Sequence, residues 1–171
     1  MNTYHIHIKG QVQGVGFRPY VYKLAVKLGL TGWVNNTVDG VHIEFTASPV
    51  EAEAFYEQVI DQAPILSRIT GHEMHPVGTK NFEGFQIVKS REEGAAELLL
   101  TPDFALCADC RHELLSAANR RHHYAFITCI NCGPRFSIVS QLPYDRERTT
   151  MESFQMCETC QAEYDDPLDR R

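Results

Sequence analysis

Cysteine is missing from the first hundred residues of this 171-residue chain, and all six cysteines fall between Cys107 and Cys160. The chain therefore reads as one small apolar core followed by a segment stapled by metal rather than by a second large core. A basic start leading into an apolar run is also missing, since the chain opens Met1-Asn2-Thr3-Tyr4-His5-Ile6-His7. No apolar stretch approaches the roughly 18 residues of a membrane span. These absences predict a cytoplasmic protein with no membrane partner, and in that reducing compartment closely paired cysteines are metal ligands more often than disulfides. Nor is there an excess of basic charge. The formal net charge of -6 argues against a long footprint on nucleic acid, because neutralising phosphates needs a basic surface.

Two regions follow from the shift in composition. In the first, Tyr4, Ile6 and Ile8 alternate with His5, His7 and Lys9, the period-2 pattern of a half-buried strand. Pro19 stands where a first helical turn tolerates it, ahead of Val21, Leu24, Ala25 and Leu28 at helical spacing, with Gly29 as the stop. A strand from Gly32-Trp33-Val34 to Asn36 then turns at Asp39-Gly40 into Val41, Ile43 and Phe45. Ser48-Pro49-Val50-Glu51 has capping-box spacing and opens a second helix through Phe55, Val59 and Ala63. Short strands are expected around Arg68 to Met74 and Phe85 to Val88. The predicted fold is α+β, a ferredoxin-like βαββαβ arrangement with two helices on one face of a four-stranded antiparallel sheet, followed by a small zinc-finger module. We expect one domain over 1–91, a linker over 92–100 and a zinc-finger region over 101–171.

The loop Gln11-Val12-Gln13-Gly14-Val15-Gly16-Phe17-Arg18 joins a strand to a helix N-terminus, where unpaired backbone N–H groups and the helix dipole favour an anion. Gly14 and Gly16 would let the backbone approach an oxyanion closely, and Arg18 could add a guanidinium fork. A tight turn would satisfy the same residues. His5 and His7 could bind a metal or act as acid and base, but their alternation with Tyr4, Ile6 and Ile8 reads them as an exposed strand face, as it does His42; His72 and His75 are read as surface residues and Asp39 as a turn residue.

Cys107-Ala108-Asp109-Cys110 and Cys129-Ile130-Asn131-Cys132 are two CxxC pairs separated by eighteen residues. Four thiolates make a closed tetrahedral site, so a zinc ion held by this 107–132 finger would be structural. A third pair, Cys157-Glu158-Thr159-Cys160, is explained by a repeat of fifty residues: Phe104, Cys107, Cys110, Glu113, Arg120 and Arg121 fall on Phe154, Cys157, Cys160, Glu163, Arg170 and Arg171. The expectation is a second finger beginning at Cys157 and cut at its midpoint, its missing pair about eight residues past Arg171. Cys157 and Cys160 could instead take His122 or His123 as co-ligands, or interleave with the first two pairs.

Phe17-Arg18 followed by Gly32-Trp33-Val34-Asn35-Asn36 and Gly40 resembles the acylphosphatase family over roughly residues 4 to 90. The resemblance implies that Arg18 and the backbone of Gln13, Gly14, Val15, Gly16 and Phe17 hold a phosphoryl group, that Asn36 positions the attacking water, and that Asn35 is its structural neighbour. The stretch after Gly40 lacks a glycine that free-standing members show. Adding Thr101-Pro102-Asp103, Ile127-Thr128-Cys129-Ile130-Asn131-Cys132-Gly133-Pro134-Arg135 and Pro143-Tyr144-Asp145-Arg146-Glu147-Arg148-Thr149-Thr150-Met151, nearly the whole chain resembles the N-terminal part of the HypF-type carbamoyltransferases of [NiFe]-hydrogenase maturation. That resemblance implies hydrolysis of carbamoyl phosphate or another acyl phosphate, structural zinc, and a hydrogenase maturation protein as partner of the full-length family. It also implies that the family's ATP-using and transfer domains are absent from this chain. The rival reading is a non-catalytic module that binds phosphate and makes zinc-dependent protein contacts. Nucleic-acid binding through Arg120, Arg121, His122, His123, Arg146 and Arg148 is disfavoured by the acidic balance.

Overall fold

The structure, a computed structural model, is described over residues 1–90, 102–133 and 136–169. The expected linker at 92–100, the Pro134-Arg135 end of the second cysteine motif and the repeat's Arg170 and Arg171 lie outside the described residues. The chain runs β1 (Asn2–Gln11), α1 (Phe17–Lys27), β2 (Thr31–Thr37), β3 (Gly40–Ala47), α2 (Pro49–Asp61), β4 (Arg68–Gly78), β5 (Phe85–Ile87), α3 (Ala108–Leu115) and α4 (Glu158–Asp165). Among the described residues no helix is long and apolar enough to cross a membrane.

The first five strands form one sheet in the order β4-β1-β3-β2-β5. Four pair antiparallel as the alternation of residues implied, with Ile6 opposite Ile43 and Ile43 opposite Val34. The four-stranded, purely antiparallel expectation needs one correction, because β5 adds a fifth strand that pairs in parallel with β2. Three residues suffice: Phe85 turns its ring onto Tyr22 of α1 and closes the core at that edge.

Helix α2 begins as Ser48 and Glu51 require, with both halves of the capping box formed and Pro49 in the first turn. Its buried face carries Ala52, Phe55 and Val59, and Phe55 meets Phe45 edge-on at a ring separation of 4.7 Å. Helix α1 contributes Phe17, Val21, Leu24 and Ala25 to the same core. Both helices cover the face that holds Ile6, Ile8, Val34, Val41 and Phe45.

The other face corrects the reading of its histidines as a solvated strip. Successive pairings place Glu73, His7, His42 and Asn35 in one row across β4, β1, β3 and β2. His7 is buried, stacked on His42 with ring centroids 4.1 Å apart, and His5 lies against His42 and His75. Burial, then the neighbouring His42 and His75, pushes the His5 imidazole down to about 4. Burial likewise lowers His42. Burial opposes the charge of Asp39, but hydrogen bonds from Thr37 and His42 hold its carboxyl below the ordinary value. Period-2 alternation told the two faces apart; it could not tell that neighbouring strands bring imidazoles to the same row. His72 and His75 are exposed as expected, although His72 also bonds the Tyr56 hydroxyl at 2.6 Å.

Candidate active site and metal centre

The Gln11 to Arg18 loop is anchored in the core. Val12 and Val15 are buried in the core, while Gly14 and Gly16 take left-handed backbone angles (φ 70° and 77°) that a side chain would strain. Gly16 is the cap of α1 and has no side-chain hydrogen bond there, so the loop leads its N–H groups directly into a helix start.

Gln13 ties the loop to the β2–β3 hairpin. Its buried amide donates to the carbonyls of Thr37 (2.6 Å) and Gly40 (3.0 Å). Gly40 itself must be glycine, since a Cβ there would sit 2.2 Å from the Ile8 carbonyl. The tie fixes β2 relative to the loop and delivers Asn36, buried on the helix side of the sheet, to Arg18. With its amide oxygen turned toward the guanidinium, Asn36 accepts from Arg18 Nε at 3.1 Å and Nη2 at 3.3 Å. The structure thus brings together Arg18, Asn36 and the Gln13–Phe17 loop. Asn35 points to the opposite face, in the histidine row.

Two residues quoted within the sequence motif around Pro143, but not connected with this loop, also reach it. Arg18 Nη2 donates to the Asp145 carboxylate at 2.8 Å and to the Tyr144 carbonyl at 3.2 Å, and Nη1 donates to Ser90 at 3.2 Å. The Tyr144 N–H in turn donates to the Gln13 side-chain oxygen at 3.2 Å. A contact between residues 126 or more positions apart leaves no periodic trace; the only signal was that Tyr144-Asp145 belongs to a recognisable motif.

The first four cysteines form one buried cluster with Ile127, Leu106 and Leu114 packed round it. Cys107–Cys129, Cys129–Cys132 and Cys110–Cys132 sulfurs are separated by 3.6, 3.7 and 3.6 Å. Four thiolates around zinc at about 2.3 Å would be about 3.8 Å apart, so the set fits a tetrahedral ion without rearrangement. The hydrogen bond from Cys129 holds the Cys132 thiol well below its ordinary value against the opposing effect of burial, with help from the Cys107 N–H and the Thr128 hydroxyl. All donors are sulfur, which selects zinc over hard cations and leaves no open position.

Cys157 and Cys160 do not join or interleave with this cluster. They occupy the cap and first turn of α4 as Cys107 and Cys110 occupy those of α3, with matching cap angles (φ −68° and −65°), which is the repeat expressed in backbone geometry. Cys160 accepts from Arg120 at 3.2 Å, and Arg120 and Arg121 both pair with Glu163. No third ligand completes a site at Cys157 and Cys160 among the described residues, and His122 and His123 stack on each other instead.

The finger also buttresses the loop. A Cβ on Gly16 would lie 3.0 Å from the Ile130 carbonyl, and one on Gly133 would lie 3.0 Å from the Gly14 carbonyl. Glycine therefore serves here for contact between two modules as well as for the loop's backbone angles.

Two family models match: "Acylphosphatase" over residues 4–87 and "HypF finger" over residues 106–139. The "Carbamoyltransferase HypF" of Rhodobacter capsulatus is 48% identical over 172 residues, covering 100% of this chain but 23% of that protein. The acylphosphatase of Thermococcus kodakarensis is 40% identical over 85 residues, which cover 49% of this chain and 92% of that protein. A crystal structure of full-length HypF in the phosphate- and nucleotide-bound form superposes with a TM-score of 0.93 at 44% identity, over 99% of this chain and 22% of that one. The match falls in the N-terminal part of these longer proteins, of whose length the chain spans less than a quarter.

Proposed function

Because the chain belongs to the acylphosphatase family over residues 4–87 and carries a HypF finger beside that domain, we propose that it hydrolyses an acyl phosphate, and specifically carbamoyl phosphate. The backbone N–H groups of Gln13 to Phe17 and the Arg18 guanidinium hold the phosphoryl oxygens. Asn36, its oxygen bound to Arg18, holds the attacking water against the phosphorus through its amide. The water oxygen bonds to phosphorus as the P–O bond to the acyl group breaks. The carbamate leaves with the electron pair, and a water proton passes to a phosphate oxygen. A carboxylate-type group leaves without protonation, so orientation and charge stabilisation can carry the step with neither a general acid nor a metal at phosphorus.

The observation that carries this reading is the Arg18–Asn36 hydrogen-bond pair at the mouth of a loop with two left-handed glycines. Phosphate release from carbamoyl phosphate by the chain, Arg18→Ala and Asn36→Ala is the test. Both variants should lose about 10²-fold or more, the magnitude of losing one preorganised donor; unchanged rates would remove both residues from the site.

In this proposal the division at 1–91 and 101–171 separates a phosphatase from a structural zinc module, with Cys107, Cys110, Cys129 and Cys132 as the zinc ligands and Cys157 and Cys160 as the start of a second set. The carbamate passes to ATP-using and transfer activities in the remaining length of the full proteins, in the cytoplasm, where a hydrogenase maturation protein receives the carbamoyl group. A second reading is phosphate binding without turnover, in which the Arg18 guanidinium, held by Asp145, is kept from the charge that develops at phosphorus. Phosphate binding with no hydrolysis at any substrate concentration would select it.

A further inference from the structure

The face of the sheet opposite the helices carries a second constellation that the phosphatase reading does not use. His7 Nε2 lies 3.5 Å from one oxygen of Asp39, and His42 Nε2 lies 3.0 Å from the other. The three ligand atoms all fall within 4.8 Å of one another. A divalent ion bound at about 2.0–2.1 Å to imidazole and carboxylate separates its donors by about 3.3 Å in a tetrahedron; the 3.0 Å from His42 Nε2 to its Asp39 oxygen is near that value, and the remaining separations inside 4.8 Å close onto it by small side-chain rotations.

The remaining ring nitrogens are partnered in the way that orients metal-binding imidazoles. His42 Nδ1 is hydrogen-bonded to His5 Nε2 at 3.0 Å, and His7 Nδ1 faces the Glu73 carboxylate at 3.7 Å. With His42 Nδ1 bonded to His5 and His7 Nδ1 turned toward Glu73, both Nε2 atoms lie against Asp39, His7 Nε2 also 3.3 Å from the Asp39 backbone carbonyl. The hydroxyl of Thr37 also bonds Asp39 and fixes it between the two rings. The site is sheltered, its side chains being 10%, 22% and 18% exposed for His7, Asp39 and His42. Next to it, directly opposite His42 in the pairing of β2 with β3, Asn35 is 2% exposed, and its side-chain oxygen has no hydrogen-bond partner among the described residues. A buried amide oxygen left unpartnered is destabilising, because it has given up its hydrogen bonds to water for none in the fold. A cation on this row is a partner of the right chemistry.

We infer that His7, Asp39 and His42 form a binding site for a first-row divalent cation such as Zn2+, on the face of the sheet opposite the helices and separate from the cysteine cluster. Two imidazoles and one carboxylate leave at least one coordination position for water or for the Asn35 oxygen.

The test is zinc content per chain after equilibrium dialysis of the full chain against Zn2+, compared among the unsubstituted protein, His7→Ala, His42→Ala and Cys132→Ser. Each histidine variant should hold one ion fewer than the unsubstituted chain. Cys132→Ser should lose a different ion, so its combination with His42→Ala should lose two. Because a substitution in the row could disturb the sheet, the unsubstituted protein supplies a second measurement. In a Zn2+ titration followed by NMR, the imidazole resonances of His7 and His42 should shift at lower zinc than that of His72, which belongs to no such cluster among the described residues. Equal zinc content in the unsubstituted chain and both histidine variants, or His7 and His42 resonances that do not move before His72, would overturn the assignment.

Discussion

Replacing Asp145 by asparagine removes the carboxylate that lies 2.8 Å from Arg18, where under the proposed function an incoming phosphate would need the guanidinium. The two side chains are 18% and 27% exposed, so the pair is neither freely solvated nor sealed from water. Its gross attraction at this distance is about 6 kcal/mol for an effective dielectric constant near 20. Desolvation and the ordering of two side chains offset most of that. Charge-assisted hydrogen bonds retain about 1.5–3 kcal/mol net, and exposed pairs about 0–1. A value near 1.5 kcal/mol follows for a pair in between, which is about a tenfold change in affinity for the competing anion. Inorganic phosphate titrated calorimetrically into the full chain should therefore bind about tenfold more tightly to Asp145→Asn, and Asp145→Glu, which keeps the charge, should gain much less. Binding is read without turnover, so the result does not depend on the catalytic assignment. Phosphate affinity that falls in Asp145→Asn would refute the reasoning, because it would mean that Asp145 aims Arg18 at the anion rather than competing with it.

Gly16→Ala should be more destabilising than Gly29→Ala in urea unfolding. Both residues have left-handed angles, worth about 1–2 kcal/mol to an added Cβ, but at Gly29 nothing lies within 4 Å, whereas at Gly16 the Ile130 backbone must move; equal losses would show that the finger does not press on the loop. Cys132→Ser should release the zinc of the cysteine cluster and, by freeing Gly133 and Ile130 from the loop, weaken phosphate binding while the far-ultraviolet signal of the sheet persists; phosphate affinity unchanged after confirmed zinc loss would sink the buttress. Phe55→Ala empties a fully buried site beside Phe45 and should cost about 3–5 kcal/mol in denaturant unfolding, with a loss below 1 kcal/mol contradicting the core described.

Several features were legible in the residues alone because their causes are local. Alternation of Tyr4, Ile6 and Ile8 set one face of β1, Ser48 and Glu51 set the start of α2, and Asp39-Gly40 set a hairpin. Each acts within a few positions, where backbone geometry leaves few options. The CxxC pairs were equally plain, since two thiolates three residues apart can reach one ion, and the fifty-residue repeat reappears as the matched caps of α3 and α4. Arg18 and Asn36 were named through a resemblance of motifs, and their hydrogen-bonded proximity is a finding of the fold.

What only the tertiary structure decided is what meets across strands and across modules. The fifth strand lies parallel to β2 because Phe85 finds a place against α1, and the row of His7 and His42 exists because β1 and β3 pair in one register. The loop's glycines answer to Ile130 and Gly133, and Arg18 to Asp145, all more than a hundred residues away. Sequence periodicity records which face a residue takes, a property of its own backbone. Register and module docking depend on the packing of the whole chain, so no window of residues contains them.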